Sequence, residues 1–490
     1  MSDFERQSEL LTAISQMGSH GRAEGEDESQ FPLTYYPVAE HLRAFDPDVV
    51  LIVGPRGSGK TELFKAVIQL RLLPDIAKNV STGRLPPLGP TQTEWFAAYP
   101  QGTGFPDPMV LKRFIRERSA KDEDLVDLWA AYLLRTLKAK IPAASCLAAL
   151  FDPQAGDLAA VVDGFSKCRT EAMLALDRLD ESLVEGDRHL FVAYDELDTL
   201  AQSDWDAVKS AVRGLVGFWA ARTRRWKRIR AKIFLRTDLY ERSGSAGGAD
   251  FAKLAANRAE LAWSDRHLYA MLLKRLANTN SDLLEYCQNR IEFNTDQRLG
   301  QIPKILKADQ AKPFVERLVG RYMGANERKG LAFTWLLDHI RDGRGQALPR
   351  PLVRLVEAAA SIQSEAATHP RWPKLLEPKS LRRAVDKVSS EHVTQSLDEW
   401  PWLDGLMDRL KPEREVPWDR RRIEKLLDEK WDATWGKEDG VRPPAVGARD
   451  LVDYLVEVGV FRTRPDHRVD VTDLFLNGLG LKRRGGVRRR

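Results

Sequence analysis

Short apolar runs alternate with amphipathic stretches through the first half of the chain, and helical spacing takes over in the second half. Val49-Val50-Leu51-Ile52-Val53 is apolar at every position, the mark of a strand buried on both faces. His189–Tyr194 and Lys232–Arg236 read the same way, and Glu94–Tyr99 and Glu260–Trp263 add two shorter strands. Between them the spacing predicts helices from Thr61 to about Leu73, over Asp122–Lys138 (Leu125, Leu128, Trp129, Tyr132 and Thr136 on one face), Glu171–Leu183 and Trp205–Arg222 (Val208, Val212, Leu215, Trp219). The alternation predicts an α/β fold: a five-stranded, mostly parallel sheet with helices on each face, an αβα sandwich. Upstream, Leu10, Leu11, Ile14 and Met17 make one short amphipathic segment before a polar linker. Residues 1–30 are therefore expected to be a flexible end with a frayed helix docking on a neighbour. Order should begin near Phe31-Pro32, with Tyr35 and Tyr36 packing beneath the first strand.

Beyond Ser264 the pattern is wholly helical, as in Leu268, Leu272 and Leu276, and continues around residues 314–322 and 331–340. Asp342–Pro351 is a Gly turn followed by Pro-Arg at a helix start, an arrangement that can hold Arg350 toward a neighbouring site. Residues 366–440 are charged and hold Trp400, Trp402, Trp418, Trp431 and Trp435, expected as aromatic staples of a small helical domain rather than base-stacking platforms. A helix at Arg449–Val458, then Val460–Thr463 and Arg468–Val471 about a Pro465-Asp466 turn, reads as a winged helix. The expected divisions are 1–30, 31–264 with a helical insertion at about 101–185, 265–365, 366–440 and 441–490.

Composition narrows the class. A chain of 490 residues is too long for one ordinary core, and 43% hydrophobic with 30% charged residues suits a helix-rich globular protein. No apolar run is long enough to cross a membrane, and the N-terminus lacks the apolar stretch of a secretory signal. Cys146, Cys168 and Cys287 follow no ligand spacing, which fits a reduced, cytoplasmic setting, and the eight scattered histidines argue against a His/Cys metal site. The net charge of +5 is unevenly spread, with an acidic GEDESQ before residue 31 and a basic KRRGGVRRR at the end. Nucleic acid is permitted by this balance but not demanded. The seven Lys and Arg between Arg222 and Lys232 read as a cationic helix cap at the sheet end opposite a ligand, with a nucleic-acid or subunit contact as the alternative.

Two strand tips carry the chemistry. After the first strand comes Gly54-Pro55-Arg56-Gly57-Ser58-Gly59-Lys60-Thr61, the spacing G-x-x-x-x-G-K-T, with Glu62 opening the next helix. Glycines let backbone N–H groups turn inward around an anion, and the helix dipole adds to that field. Lys60 would reach the β- and γ-phosphates, and the Thr61 hydroxyl would ligate Mg²⁺. The strand at His189 ends in Asp195-Glu196, where Asp195 would hold Mg²⁺ through water and Glu196 would polarise an attacking water. The strand at Lys232 ends in Thr237-Asp238, candidates for sensing a γ-phosphate.

The ordered set GPRGSGKT, VAYDELD, IFLRTD, LAWSDRHLYAMLLKRL and LPRPLVRLVEAA, followed by a winged helix, resembles the AAA+/STAND group of P-loop ATPases. Within it the chain is most similar to origin-recognition-type initiators and to KAP-like bacterial ATPases of conflict and antiphage systems. The resemblance implies an ATP-binding core, a helical lid over 265–365 and a C-terminal winged helix. It makes Lys60 and Thr61 the Walker A pair and Asp195 and Glu196 the Walker B pair. Thr237 or Asp238 would then be sensor 1 and Arg350 sensor 2, with Arg258 the arginine finger and Arg242 its rival. It also implies a homo-oligomeric ATPase switch working with a separate effector protein, with bacterial phage defence as the setting. The other implied reading is a DNA-binding ATPase acting through the winged helix and the Lys482–Arg490 tail.

Overall fold

The computed structural model describes residues 2–18, 28–80, 92–100, 107–118, 121–142, 147, 157–201, 204–244, 248–429, 431, 435 and 442–484. The chain divides into two compact units, Pro37–Ala262 and a second made of Met1–Tyr36 with Trp263–Arg490.

The Pro37–Ala262 unit is built on strands β1 (Leu51–Gly54), β2 (Thr93–Tyr99), β3 (His189–Tyr194), β4 (Ile229–Arg236) and β5 (Ala259–Glu260), in the order β2-β3-β4-β1-β5. All pairings are parallel, so the sheet is parallel throughout rather than mostly so. Strand β4 therefore lies between β1 and β3, pairing Gly54 with Arg236 and Tyr194 with Ile233. This brings the tips of β1, β3 and β4 together at one edge, where ligands of open α/β sheets sit.

Both sheet faces are covered, which is why the strands read as unbroken apolar runs. Leu190, Val192, Tyr194, Ile233 and Leu235 pack into a core with helices Asp122–Thr136, Leu158–Glu185 and Trp205–Arg222. On the other face Phe64 meets Phe234 at 5.9 Å, and Trp95 stacks on Phe191 at 4.3 Å. The architecture is a P-loop NTPase αβα sandwich.

Several elements differ from expectation. The helix after the loop runs only over Lys60–Phe64, continues as a π-helical turn over Lys65–Gln69, and breaks at Arg71 in the left-handed region (φ 52°). A new helix, Leu73–Asn79, then starts with Pro74 in its first turn, a position that suits proline. The helix expected over Glu171–Leu183 begins at Leu158, with a kink at Cys168 (φ −116°, ψ 20°). Strand β5 ends at Glu260 instead of Trp263. Tyr35 and Tyr36, expected beneath β1, belong to the other unit, where Tyr35 stacks on Phe31 at 5.7 Å.

Several cations of the basic run leading into β4 are tied up internally. Arg225 pairs with Asp177 and Arg228 with Asp187 (2.8 Å), while Arg230 donates to the Trp226 carbonyl at 2.6 Å. Lys232 is fully buried, its ammonium held by the carbonyls of Asp46 and Val49.

The second unit is mostly helical, with helices Asp265–Ala277, Ser281–Gln288, Lys312–Leu318, Ala332–Asp338, Pro349–Ser364 and Pro378–Glu399. The helix Asp3–Ser15 is part of its core: Leu10, Leu11 and Ile14 are buried and pack against Pro349–Ser364. The N-terminus is thus an integrated element as far as residue 18, not a frayed end. A hairpin, β6 (Phe293–Asp296) with β7 (Gly300–Pro303), interrupts the helical pattern. It turns where the Asp296 carboxylate accepts from the Arg298 and Leu299 amides and Gly300 takes φ 69°. Trp400, Trp402, Trp418 and Trp435 are buried, with Trp400 and Trp402 stacked at 5.8 Å, so their rings are core staples.

Toward the C-terminus, β8 (Glu415–Val416) precedes the helix Ala448–Glu457, and an antiparallel pair follows, β9 (Phe461–Thr463) with β10 (Val469–Val471). Strand β11 (Lys482–Arg483) then pairs in parallel with β8. The first residues of the supposed basic arm are therefore built into the fold, and residues 485–490 lie outside the described residues, as does Cys146.

Candidate functional site: the tips of the central strands

The loop from Gly54 to Thr61 has the backbone its composition anticipates. Gly57 (φ 80°) and Gly59 (φ 88°) sit in the left-handed region, which costs other residues about 1–2 kcal/mol. Gly54 has no room for a side chain, since a Cβ would meet Ser58 Oγ at 2.4 Å. Gly59 caps the helix Lys60–Phe64, and Glu62 lies in its first turn. The Lys60 ammonium donates to the carbonyls of Gly54 and Pro55, both at 3.0 Å, and burial lowers its pKa. Pro55 and Arg56 occupy positions of the loop that need no positive φ.

Asp195 stands at the tip of β3, buried, with the Thr61 hydroxyl beside its carboxylate. Its amide donates to the Tyr99 carbonyl at 2.9 Å, which fixes the tip against β2. Burial pushes its pKa up to about 6, against the opposing pull of Thr61 and Lys60. Its Oδ2 is buried without a hydrogen-bond partner. A buried carboxylate oxygen with no donor, beside a threonine hydroxyl, fits a hard divalent cation such as Mg²⁺, which takes oxygen ligands.

Glu196 follows in the left-handed region (φ 51°, ψ 31°), an unusual backbone for a residue with a Cβ. Its carbonyl is held by Thr199, whose amide donates at 3.0 Å and whose hydroxyl donates at 2.8 Å. The Thr199 hydroxyl in turn accepts from the Tyr99 hydroxyl at 2.7 Å. Tyr99 and Thr199 thus hold the bend that presents Glu196. Both went unnoticed in the sequence, although Thr199 falls in the same DELDT run.

The tip of β4 carries a contact that the sequence did not suggest. Arg236 binds the Asp238 carboxylate with both Nε (3.1 Å) and Nη2 (2.9 Å). The Arg236 Nη1 also binds Asp198 at 3.0 Å, forming an Asp–Arg–Asp clamp in which Arg236 and Asp238 are buried and Asp198 is partly exposed. Burial alone would raise the Asp198 pKa, but Arg236 and then Lys60 hold it low. Asp195, Asp198, Arg236 and Asp238 all act electrostatically on Lys60, so these groups form one charged cluster at the mouth of the loop. Arg236 and Asp198 were missed because one reads as the last residue of a strand and the other as a turn acid. Thr237 opens the helix Thr237–Gly244, and Arg242 lies in its last turn.

Arg258 pairs with Glu260 at 2.6 Å, donates to the Ala255 carbonyl and sits over the Tyr240 ring at 5.4 Å. It is half-exposed next to β5, at the far side of the unit's sheet order from β2. Arg350, in the other unit, donates to Gln395 at 2.9 Å.

The fold and this cluster define the class, a P-loop NTPase sandwich with an acid-tipped strand two places from the loop strand. Among solved structures the chain is similar to Orc2 of Aeropyrum pernix, known in ADPNP–ADP complexes (12% identity, 94% of this chain and 95% of that one, TM-score 0.29). It is also similar to the Walker-type ATPase paby2304 of Pyrococcus abyssi (14% identity, 95% and 99%, TM-score 0.37). At such scores these chains contribute nothing to the reading of individual residues. No protein-family model and no curated protein matches the sequence. Among the described residues no helix is long and apolar enough to cross a membrane.

Proposed function

We propose that the chain binds and hydrolyses ATP and uses the nucleotide state as a molecular switch. The observation that carries this reading is the Thr61–Asp195 pair beside Lys60, with an unpartnered Asp195 oxygen at the edge of a glycine-built anion loop. The amides of the loop and the Lys60 ammonium would bind the β- and γ-phosphates, Lys60 exchanging the carbonyls of Gly54 and Pro55 for phosphate oxygens. Thr61 and Asp195 would hold Mg²⁺, which when bound neutralises developing charge on the phosphates. Glu196, presented on its strained bend, would orient the water and accept its proton. Arg236, fixed by Asp198 and Asp238, sets the charge at the strand tips and transmits a change there to the helix Thr237–Gly244.

We further propose that Arg258 of one protomer completes the site of another, so that hydrolysis depends on assembly, and that the switch acts through a separate effector protein. The test is phosphate release with Glu196→Gln. The variant should bind ATP as the wild type does and turn it over at least about 100-fold more slowly. Unchanged turnover would remove Glu196 from the mechanism.

A further inference from the structure

Arginines on the β9–β10 hairpin and its surroundings are neutralised by neighbours. Arg462 and Arg464 pair with the buried Asp470 (2.7 and 3.8 Å), Arg468 with Asp466 (2.6 Å), and Arg483 with Asp473 and Asp470. Lys482 and Arg484 both face Glu415, at 3.3 and 3.5 Å. A hairpin whose cations are already paired offers a polyanion little net field.

A different surface of the same unit has the opposite character. Two segments, 320–331 and 371–383, carry eight Lys or Arg and only two carboxylates, Glu327 and Glu377. They are joined where the amides of Leu375 and Leu376 both donate to the Leu318 carbonyl at 2.9 Å. Residues 321–323 are folded back on 330–332 by the Met323–Gly330 and Ala332–Arg321 backbone bonds. Arg382, on the helix Pro378–Glu399, closes the group by donating to the Met323 carbonyl. Lys374 lies over Gly320, where a Cβ would meet its Nζ at 3.3 Å, and Lys329 covers Gly324, where a Cβ would meet its Cγ at 2.7 Å. Arg321, Lys329, Lys374 and Arg382 are all exposed, and none forms an ion pair among the described residues.

We infer that this surface binds the phosphate backbone of double-stranded nucleic acid. Unpaired, exposed cations spread over these two segments suit a row of phosphates, and at Gly330, where a Cβ would meet nothing within 4 Å, the backbone is open to close approach. The aromatic rings nearby are not free platforms for single-strand stacking. Tyr322 is half-buried beneath Arg321 (5.3 Å), and Trp372 is half-buried near the guanidinium groups of Arg6 and Arg317, at 5.2 and 5.7 Å. A lipid surface fits less well, because no large apolar side chain is exposed in either segment. This inference stands apart from the nucleotide reading, since the whole surface lies in the second unit.

The test uses the full-length chain without nucleotide and a fluorescent duplex of about 30 base pairs, titrated by anisotropy across about 50–200 mM KCl. The wild type should bind with strong salt dependence, independent of sequence. Replacing Arg321, Lys329 and Lys374 by Gln should weaken binding at least about tenfold and reduce the log–log salt slope by about 3. Because these side chains make no ion pair, the thermal midpoint should not change; if it does, Lys329→Gln alone should still lower the slope by about 1. A chain ending at Arg484 should bind duplex within about threefold of the wild type. The inference is overturned if the wild type does not bind duplex at the lowest salt, or if the triple variant binds like the wild type. It is equally overturned if binding is lost with the tail alone, or if anionic phosphatidylserine vesicles are bound through this surface while duplex is not.

Discussion

At the scale of single residues, the sheet places two kinds of charge in its interior for different reasons. The Asp198–Arg236–Asp238 clamp is at the strand tips and belongs to the cluster around Lys60. Lys232 lies further back on β4, where burial lowers its pKa to about 7. Its folded value is below the ordinary 10.5, so between pH 7 and 10.5 the unfolded chain carries more protons than the folded one. Stability contributed through this group therefore rises with pH over that window, by about 1 kcal/mol per pH unit, and is flat below it. Urea unfolding of the wild type and Lys232→Met at several pH values from 7 to 9.5 should show a shallower rise in the variant. Parallel pH dependences would mean that Lys232 stays protonated in the fold throughout.

At the scale of elements, what the sequence made legible follows from how local the signals are. The apolar runs at β1, β3 and β4 and the Gly-Lys-Thr loop are dense, contiguous patterns, and the structure has strands and a loop there. The β6–β7 hairpin was hidden because Phe293–Asp296 is polar and largely exposed, so no apolar alternation marks it. The break at Arg71 was hidden because Val67, Ile68, Leu70 and Leu72 keep the hydrophobic rhythm across it. The polar partners that fix the tips, Tyr99, Thr199, Asp198 and Arg236, also needed the fold itself, since they come from different strands and turns. The helix Asp3–Ser15 gives a further check. Leu11 is fully buried in the second unit's core, so Leu11→Ala should destabilise that unit by about 2–5 kcal/mol in urea unfolding. A loss below about 0.5 kcal/mol would mean that the helix packs too loosely to matter.

At the scale of the whole molecule, the chain joins a sheet-based unit that carries the Gly54–Thr61 loop to a helical unit that carries unpaired positive charge. The proposed switch asks the first to read ATP, so that proposal rests on whether the loop binds nucleotide. The most direct measurement is isothermal titration of ATP with Mg²⁺ into the wild type and into Lys60→Ala. The account predicts saturable binding by the wild type and loss of at least about 100-fold in affinity in the variant, with its fold intact by circular dichroism. Unaltered ATP affinity in Lys60→Ala, or no ATP binding by the folded wild type, would contradict it.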